Sequence, residues 1–175
     1  MGKTRWILVG IAFAAGVAVG VAAKLPTTSP ALFAGKEPRQ AALALLEVAE
    51  AQAENGSWEN IGVARVYYLM GEKAKAEAIL QRVTAGKMKA DDWLRIGRLY
   101  EEAGEWDKAR EAFDKTLALD PKDEDYPVEI GALYNLHGDR AKAEELFTRS
   151  FQLKGDEVWS TLDAAGSYVG VRPSR

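Results

Sequence analysis

Residues 91–121 read DDWLRIGRLYEEAGEWDKAREAFDKTLALDP. Trp93, Ile96 and Tyr100 recur at three- and four-residue steps before Gly104, and Ala109 and Phe113 follow it at the same kind of step. That spacing places apolar side chains on one face of a helix, and the glycine between two such runs marks a tight turn. The stretch is therefore two helices joined by a turn. The same unit occurs three times. Tyr67, Tyr100 and Tyr134 are 33 and 34 residues apart, as are Gly71, Gly104 and Gly138, and Ala76, Ala109 and Ala143. Leu80, Phe113 and Phe147 follow in the same register. A fixed period of this length signals a stacked array of supersecondary units, in which no helix pair buries both faces alone.

The second unit closely resembles the tetratricopeptide repeat family, with Trp93, Ile96, Gly97, Tyr100, Gly104, Ala109, Phe113 and Pro121 at its signature offsets. The third unit keeps Ile130, Gly131, Tyr134, Gly138, Ala143 and Phe147, with Pro127 in place of the early Trp and Gly155 in place of the closing Pro. Proline is tolerated there because it falls in a helix's first turn. The first unit retains Val63, Ala64, Tyr67, Gly71, Ala76 and Leu80. The resemblance implies an all-α solenoid of helix pairs over residues 38–169, with repeats at about 57–89, 90–123 and 124–157. Gly97, Gly131 and Ala64 would let the two helices of a pair touch, while Tyr100 and Phe113 fill the space between pairs.

The ends of such an array need caps. Ala42, Leu46 and Ala49 occupy second-helix offsets of a preceding unit, which predicts a capping helix over roughly Pro38–Asn55. Ala165 and Tyr168 match the start of a fourth unit, which predicts a C-terminal cap within 158–169. Residues 170–175 read as a loose basic tail ending in Arg172 and Arg175, and the Pro/Thr/Ser-rich residues 24–37 as an extended linker reaching at most about 40 Å.

Residues 6–23, WILVGIAFAAGVAVGVAA, contain no charge and follow a basic flank, residues 1–5, with Lys3 and Arg5. As a helix the run is about 27 Å long, against a hydrocarbon core of about 30 Å. It reads as a transmembrane signal anchor. The alternative is a cleaved signal peptide with Val21-Ala22-Ala23 at the cut. Ala12, Gly16 and Gly20 recur every four residues, a stripe that suits close helix packing in a bilayer. The basic flank predicts a cytoplasmic N-terminus, with the solenoid on the periplasmic, extracytoplasmic side.

The whole chain has 175 residues, 23 Lys+Arg against 26 Asp+Glu, one histidine and no cysteine. Those counts exclude a disulfide framework, a thiol nucleophile and a multi-histidine metal site within one chain. A net charge of −3 argues against a nucleic-acid partner. No phosphate loop or nucleophile elbow appears, so no catalytic residue, cofactor, metal or small-molecule substrate is expected. Adjacent acids such as Asp91-Asp92 and Glu101-Glu102 point about 100° apart on a helix and read as caps or solvated groups, and Asp123-Glu124-Asp125 lacks the remainder of a calcium loop. His137, beside Gly138, reads as a turn residue.

The resemblance further implies a partner-binding concave groove lined by the first helix of each pair. Its offsets fall on Trp58, Ile61, Arg65, Tyr68 and Leu69, then Asp91, Leu94, Arg98, Glu101 and Glu102, then Asp125, Val128, Ala132, Asn135 and Leu136. Trp159 and Leu162 would close the far end. Trp58 and Tyr68 have two readings, an aromatic anchor for a partner or a surface covered by the first capping helix. The Lys and Asn clamp for a chaperone carboxylate is absent, since Leu94 with Arg98 and Val128 with Ala132 stand in its place. The function expected is a non-catalytic, membrane-anchored scaffold or adaptor for protein partners. An accessory subunit of a membrane complex, an envelope assembly factor and a secreted repeat protein are the alternatives.

Overall fold

The computed structural model describes residues 25–174. Among them lie eight α-helices and no strand, so the all-α expectation holds. The helices are α1 (Pro38–Ala53), α2 (Ser57–Leu69), α3 (Lys73–Thr84), α4 (Ala90–Glu102), α5 (Trp106–Leu119), α6 (Asp125–Leu136), α7 (Arg140–Leu153) and α8 (Val158–Ser167). They pack as the pairs α2–α3, α4–α5 and α6–α7, with α1 against α2, α2 against α4, and α6 against α8.

Each pair turns on one glycine. Gly71, Gly104 and Gly138 have φ of +91°, +76° and +87°, the left-handed region in which a side chain is strained. The next backbone N–H then reaches back to the repeat tyrosine: Glu72 to the Tyr67 carbonyl, Glu105 to Tyr100 and Asp139 to Tyr134, at 2.8, 2.8 and 3.0 Å. These bonds satisfy carbonyls that a helix end otherwise leaves open. The recurring Tyr and Gly are therefore the two halves of one helix stop.

Beyond the turn, a second glycine sets how closely the helices approach. A Cβ on Gly97 would lie 2.3 Å from the Phe113 ring, and one on Gly131 would lie 2.9 Å from Phe147. Both rings sit where the missing side chain would be. In the first pair Ala64 and Leu80 stand at the equivalent positions, and both are buried. Two hydrophobic clusters result. The first gathers Tyr67, Leu80, Ile96 and Leu99, the second Phe113, Val128, Ile130 and Leu146, and Tyr100 packs against both. The Tyr100 hydroxyl donates to Glu77 at 3.1 Å. Burial, reinforced by the Glu77 charge, holds its pKa well above the ordinary tyrosine value.

The flanking segments are tied down. Residues Pro30–Leu32 form a single 3₁₀ turn against α1, and the Gln52 amide donates to the Pro26 carbonyl at 2.8 Å. At the other end the chain turns at Gly170, φ +82°, and the Val171 N–H closes on the Gly166 carbonyl at 2.9 Å. The tail, which composition alone leaves loose, then runs back to α4, where Arg172 pairs with Glu101. A buried carboxylate is what holds it there.

The expected transmembrane helix at 6–23, with Ala12, Gly16 and Gly20, lies outside the described residues. No helix among the described residues is long and apolar enough to cross a membrane. The longest, α1, has 16 residues, including Arg39, Glu47 and Glu50, whereas a span needs about 20 largely apolar ones. That finding overturns the single-pass placement with a periplasmic solenoid.

Two glycines within α2 and α4 should respond oppositely to added volume. Gly97→Leu forces a side chain into the Phe113 ring and should cost about 1–3 kcal/mol or more, lowering the thermal midpoint by several degrees. Gly62, also helical, has nothing within 4 Å of its would-be Cβ, and Gly62→Ala should raise stability by about 0.5–1 kcal/mol. Thermal unfolding followed by circular dichroism measures both. An unchanged midpoint for Gly97→Leu would place Gly97 away from any helix contact.

Candidate functional site

The inner faces of α2, α4 and α6 enclose an open groove of about 430 Å³. Its apolar floor is Ile61 and Leu133, each 3% exposed. At one end stands the Trp58 indole, half exposed, with the Arg95 guanidinium 3.9 Å above its ring. Stacking of this kind is electrostatically favourable and keeps both groups flat against the wall. Arg95 also pairs with Asp91 one turn earlier, at 3.2 Å.

Two arginine–carboxylate forks cross the groove. Arg65 of α2 meets Glu102 of α4, its Nε donating at 2.6 Å. Arg98 of α4 meets Glu129 of α6 through both Nε and an Nη at 2.5 Å. The first fork is exposed and the second is not, for the Glu129 side chain is 5% exposed against 37% for Glu102. Burial by itself would lower the Arg98 pKa, but the hydrogen bonding and charge of Glu129 together outweigh it and leave the pKa raised. Such planar two-point pairs fix geometry as well as charge.

At the far edge Glu101 is buried, its side chain 3% exposed. It accepts from both terminal nitrogens of Arg172, and His137 Nε2 lies 3.0 Å from its Oε1. The His137 ring stacks on Trp106 at 3.9 Å with 8° between planes. His137 is thus more than a turn residue. It caps α6 and reaches across to α4, a role hidden because its partner lies 36 residues away.

Comparison with known proteins gives a likeness for one of these helix pairs. Residues 90–123, the stretch of α4 and α5, match the family model of the tetratricopeptide repeat. That helix pair thus matches a tetratricopeptide repeat, and the pairs α2–α3 and α6–α7 share its register. The chain is also 27% identical over 157 residues to human Protein O-mannosyl-transferase TMTC1. That match covers 88% of this chain and 18% of the relative, so the chain spans less than a fifth of the protein it resembles. No solved structure matches it.

The repeat offsets fall in different surroundings. Trp58, Ile61, Arg65 and Arg98 come together in the groove with Glu102, and Glu101 stands at its edge. Tyr68, Leu94, Val128 and Ala132 are buried, with 3% exposure or less. Tyr68 supports the array, since its ring meets the edge of Tyr100 at 5.6 Å and its hydroxyl accepts from Lys108 at 3.2 Å. Asn135 donates its amide to Ser167 Oγ at 2.9 Å and so holds α8, while Leu136 packs partly buried on the second cluster. Leu69, Trp159 and Leu162 are exposed outside the groove lining. Asp91 and Asp125 sit in first turns of α4 and α6. Asp92 accepts from the Lys89 N–H and from Ser57 Oγ, and Asp123 accepts from the Asp125 and Tyr126 N–H groups. Among the described residues no group of three acids or histidines is placed to hold a metal.

The repeat offsets did not point to Gly62, Arg95, Glu129, Leu133, Arg172 and Pro173 in the lining. Glu129 had a signal, since Arg98 precedes it by 31 residues, close to one repeat. Arg172 had none.

The two forks should differ in weight. Arg98→Ala withdraws a guanidinium from a buried carboxylate and should cost on the order of 3 kcal/mol. Arg65→Ala breaks a pair open to water and should cost about 1 kcal/mol or less. Urea titration resolves that gap, and equal losses would contradict the burial difference.

Proposed function

We propose that this chain is a non-catalytic scaffold whose groove holds an extended segment of a partner protein. The observation that carries the reading is the groove itself, where an aromatic side chain, an apolar floor and fixed charges converge on the inner face of three helices. Trp58 offers a large, half-exposed anchor of the type that dominates binding energy in interfaces. The two forks supply charges already held in place, so a partner's polar groups meet a preorganised surface. The tetratricopeptide match supports protein partners in general. The likeness to a transferase covers 18% of that protein, and we read it as shared repeat architecture.

A permanent subunit of a larger assembly is the second reading. It is favoured by Val158, Trp159 and Leu162 on α8, each more than half exposed. An apolar terminal face of this kind suits continued stacking against another protein.

Site-specific photo-crosslinking in the native cell separates a groove binder from a protein that binds elsewhere. Benzoylphenylalanine at position 58 should give a discrete adduct, and the same probe at Lys75 on α3 should not. Adducts from position 75 or position 159 with none from position 58 would move the interface off the groove.

A further inference from the structure

The ion pairs between elements follow a rule that one of them breaks. Arg39–Glu72, Lys73–Glu105, Lys108–Glu77, Arg98–Glu129 and Arg65–Glu102 join residues 31 to 37 apart, one repeat or close to it. Arg172–Glu101 spans 71 residues. It does not belong to the ladder that joins neighbouring units; it brings the end of the chain onto the inner face of α4. Pro173, next to it, lines the groove.

Glu101 has the properties of a receptor for a guanidinium. Its side chain is 3% exposed, so its charge needs a partner held at close range. The neighbouring arginines do not supply one, since Arg65 is committed to Glu102 and Arg98 to Glu129. His137, fixed by its stack on Trp106, occupies one side of the carboxylate. Arg172 takes both oxygens from the other side. Two parallel N–H donors on one carboxylate select arginine over lysine. The Arg172 side chain is nonetheless 57% exposed, so a competing guanidinium can approach the carboxylate from solvent. Its hydrogen bonding to Glu101 raises the Arg172 pKa, so the guanidinium stays charged.

Resting on the groove reading above, we propose that Glu101 with His137 forms an arginine-receiving subsite of the groove. The chain's own Arg172-Pro173 fills it in cis, and an extended partner segment bearing an arginine replaces the tail. The tether makes the tail a competitor at an effective concentration in the millimolar range. Partners of low affinity are therefore excluded, and removal of Arg172 opens the subsite.

The probe is a fluorescein-labelled peptide of the tail sequence GVRPSR, titrated by anisotropy against the full chain. The Arg172→Ala chain should bind it at least tenfold more tightly than the unaltered chain. Replacing the first arginine of the peptide by glutamine should abolish the gain, and replacing it by lysine should reduce it severalfold. Both peptide arms leave the protein untouched, and Glu101→Gln combined with Arg172→Ala should lose binding while its circular dichroism stays helical. Equal affinity for the two chains, or binding indifferent to the first peptide arginine, would overturn the subsite. Crosslinking from position 58 reports separately on the groove, so an adduct there alongside a failed peptide titration removes the arginine subsite alone.

Discussion

The contact on which this architecture depends is a ring lying over a glycine. Phe113 on α5 covers Gly97 on α4, and Phe147 on α7 covers Gly131 on α6, at distances that leave no room for even a methyl group. Interiors pack near crystal density, so the spacing within a pair is set by that one missing side chain. Spacing within the pair in turn decides where the first helix of each pair stands. Since α2, α4 and α6 supply the groove, their placement is a consequence of packing on the opposite side of those helices.

Charge then follows the same period. When units repeat every 33 or 34 residues, a basic residue in one unit and an acid at a similar offset in the next become neighbours. Most of these pairs are exposed and contribute little each, on the order of 0–1 kcal/mol. Arg98–Glu129 differs because it is buried between α4 and α6, where removing either partner exposes the cost of the other. Its value is therefore one of register, holding two inner helices at a fixed separation across the floor formed by Leu133.

Local pattern made the helix pairs legible. Tyr100, Gly104, Ala109 and Phe113 carry their structural roles in their own spacing, since a turn glycine and an i, i+4 face are short-range features. The groove was legible only in outline. Offsets identified Trp58, Arg65 and Arg98, but they do not report how far each side chain is sunk, and Leu94 and Val128 fell inside the core instead. Pairing across units was open to a period argument that Glu129 would have satisfied. Arg172 obeyed no period at all, because a segment outside the repeats that folds back is placed by a charge 71 residues away.

That charge distinguishes Glu101 from Glu102, its neighbour in sequence. The two carboxylates point about 100° apart on α4. Glu102 faces water and a partner one unit away, so its pair with Arg65 belongs to the ladder. Glu101 faces inward, toward the C-terminal end of α6, where no ladder arginine stands and a histidine on an indole does. A repeat array can tolerate a buried acid of this sort only if some cation is always within reach. The fold meets that requirement from outside the array, with the segment that follows α8. The segment that satisfies Glu101 from the side opposite His137 also lies along the groove, since Arg172 and Pro173 both line it.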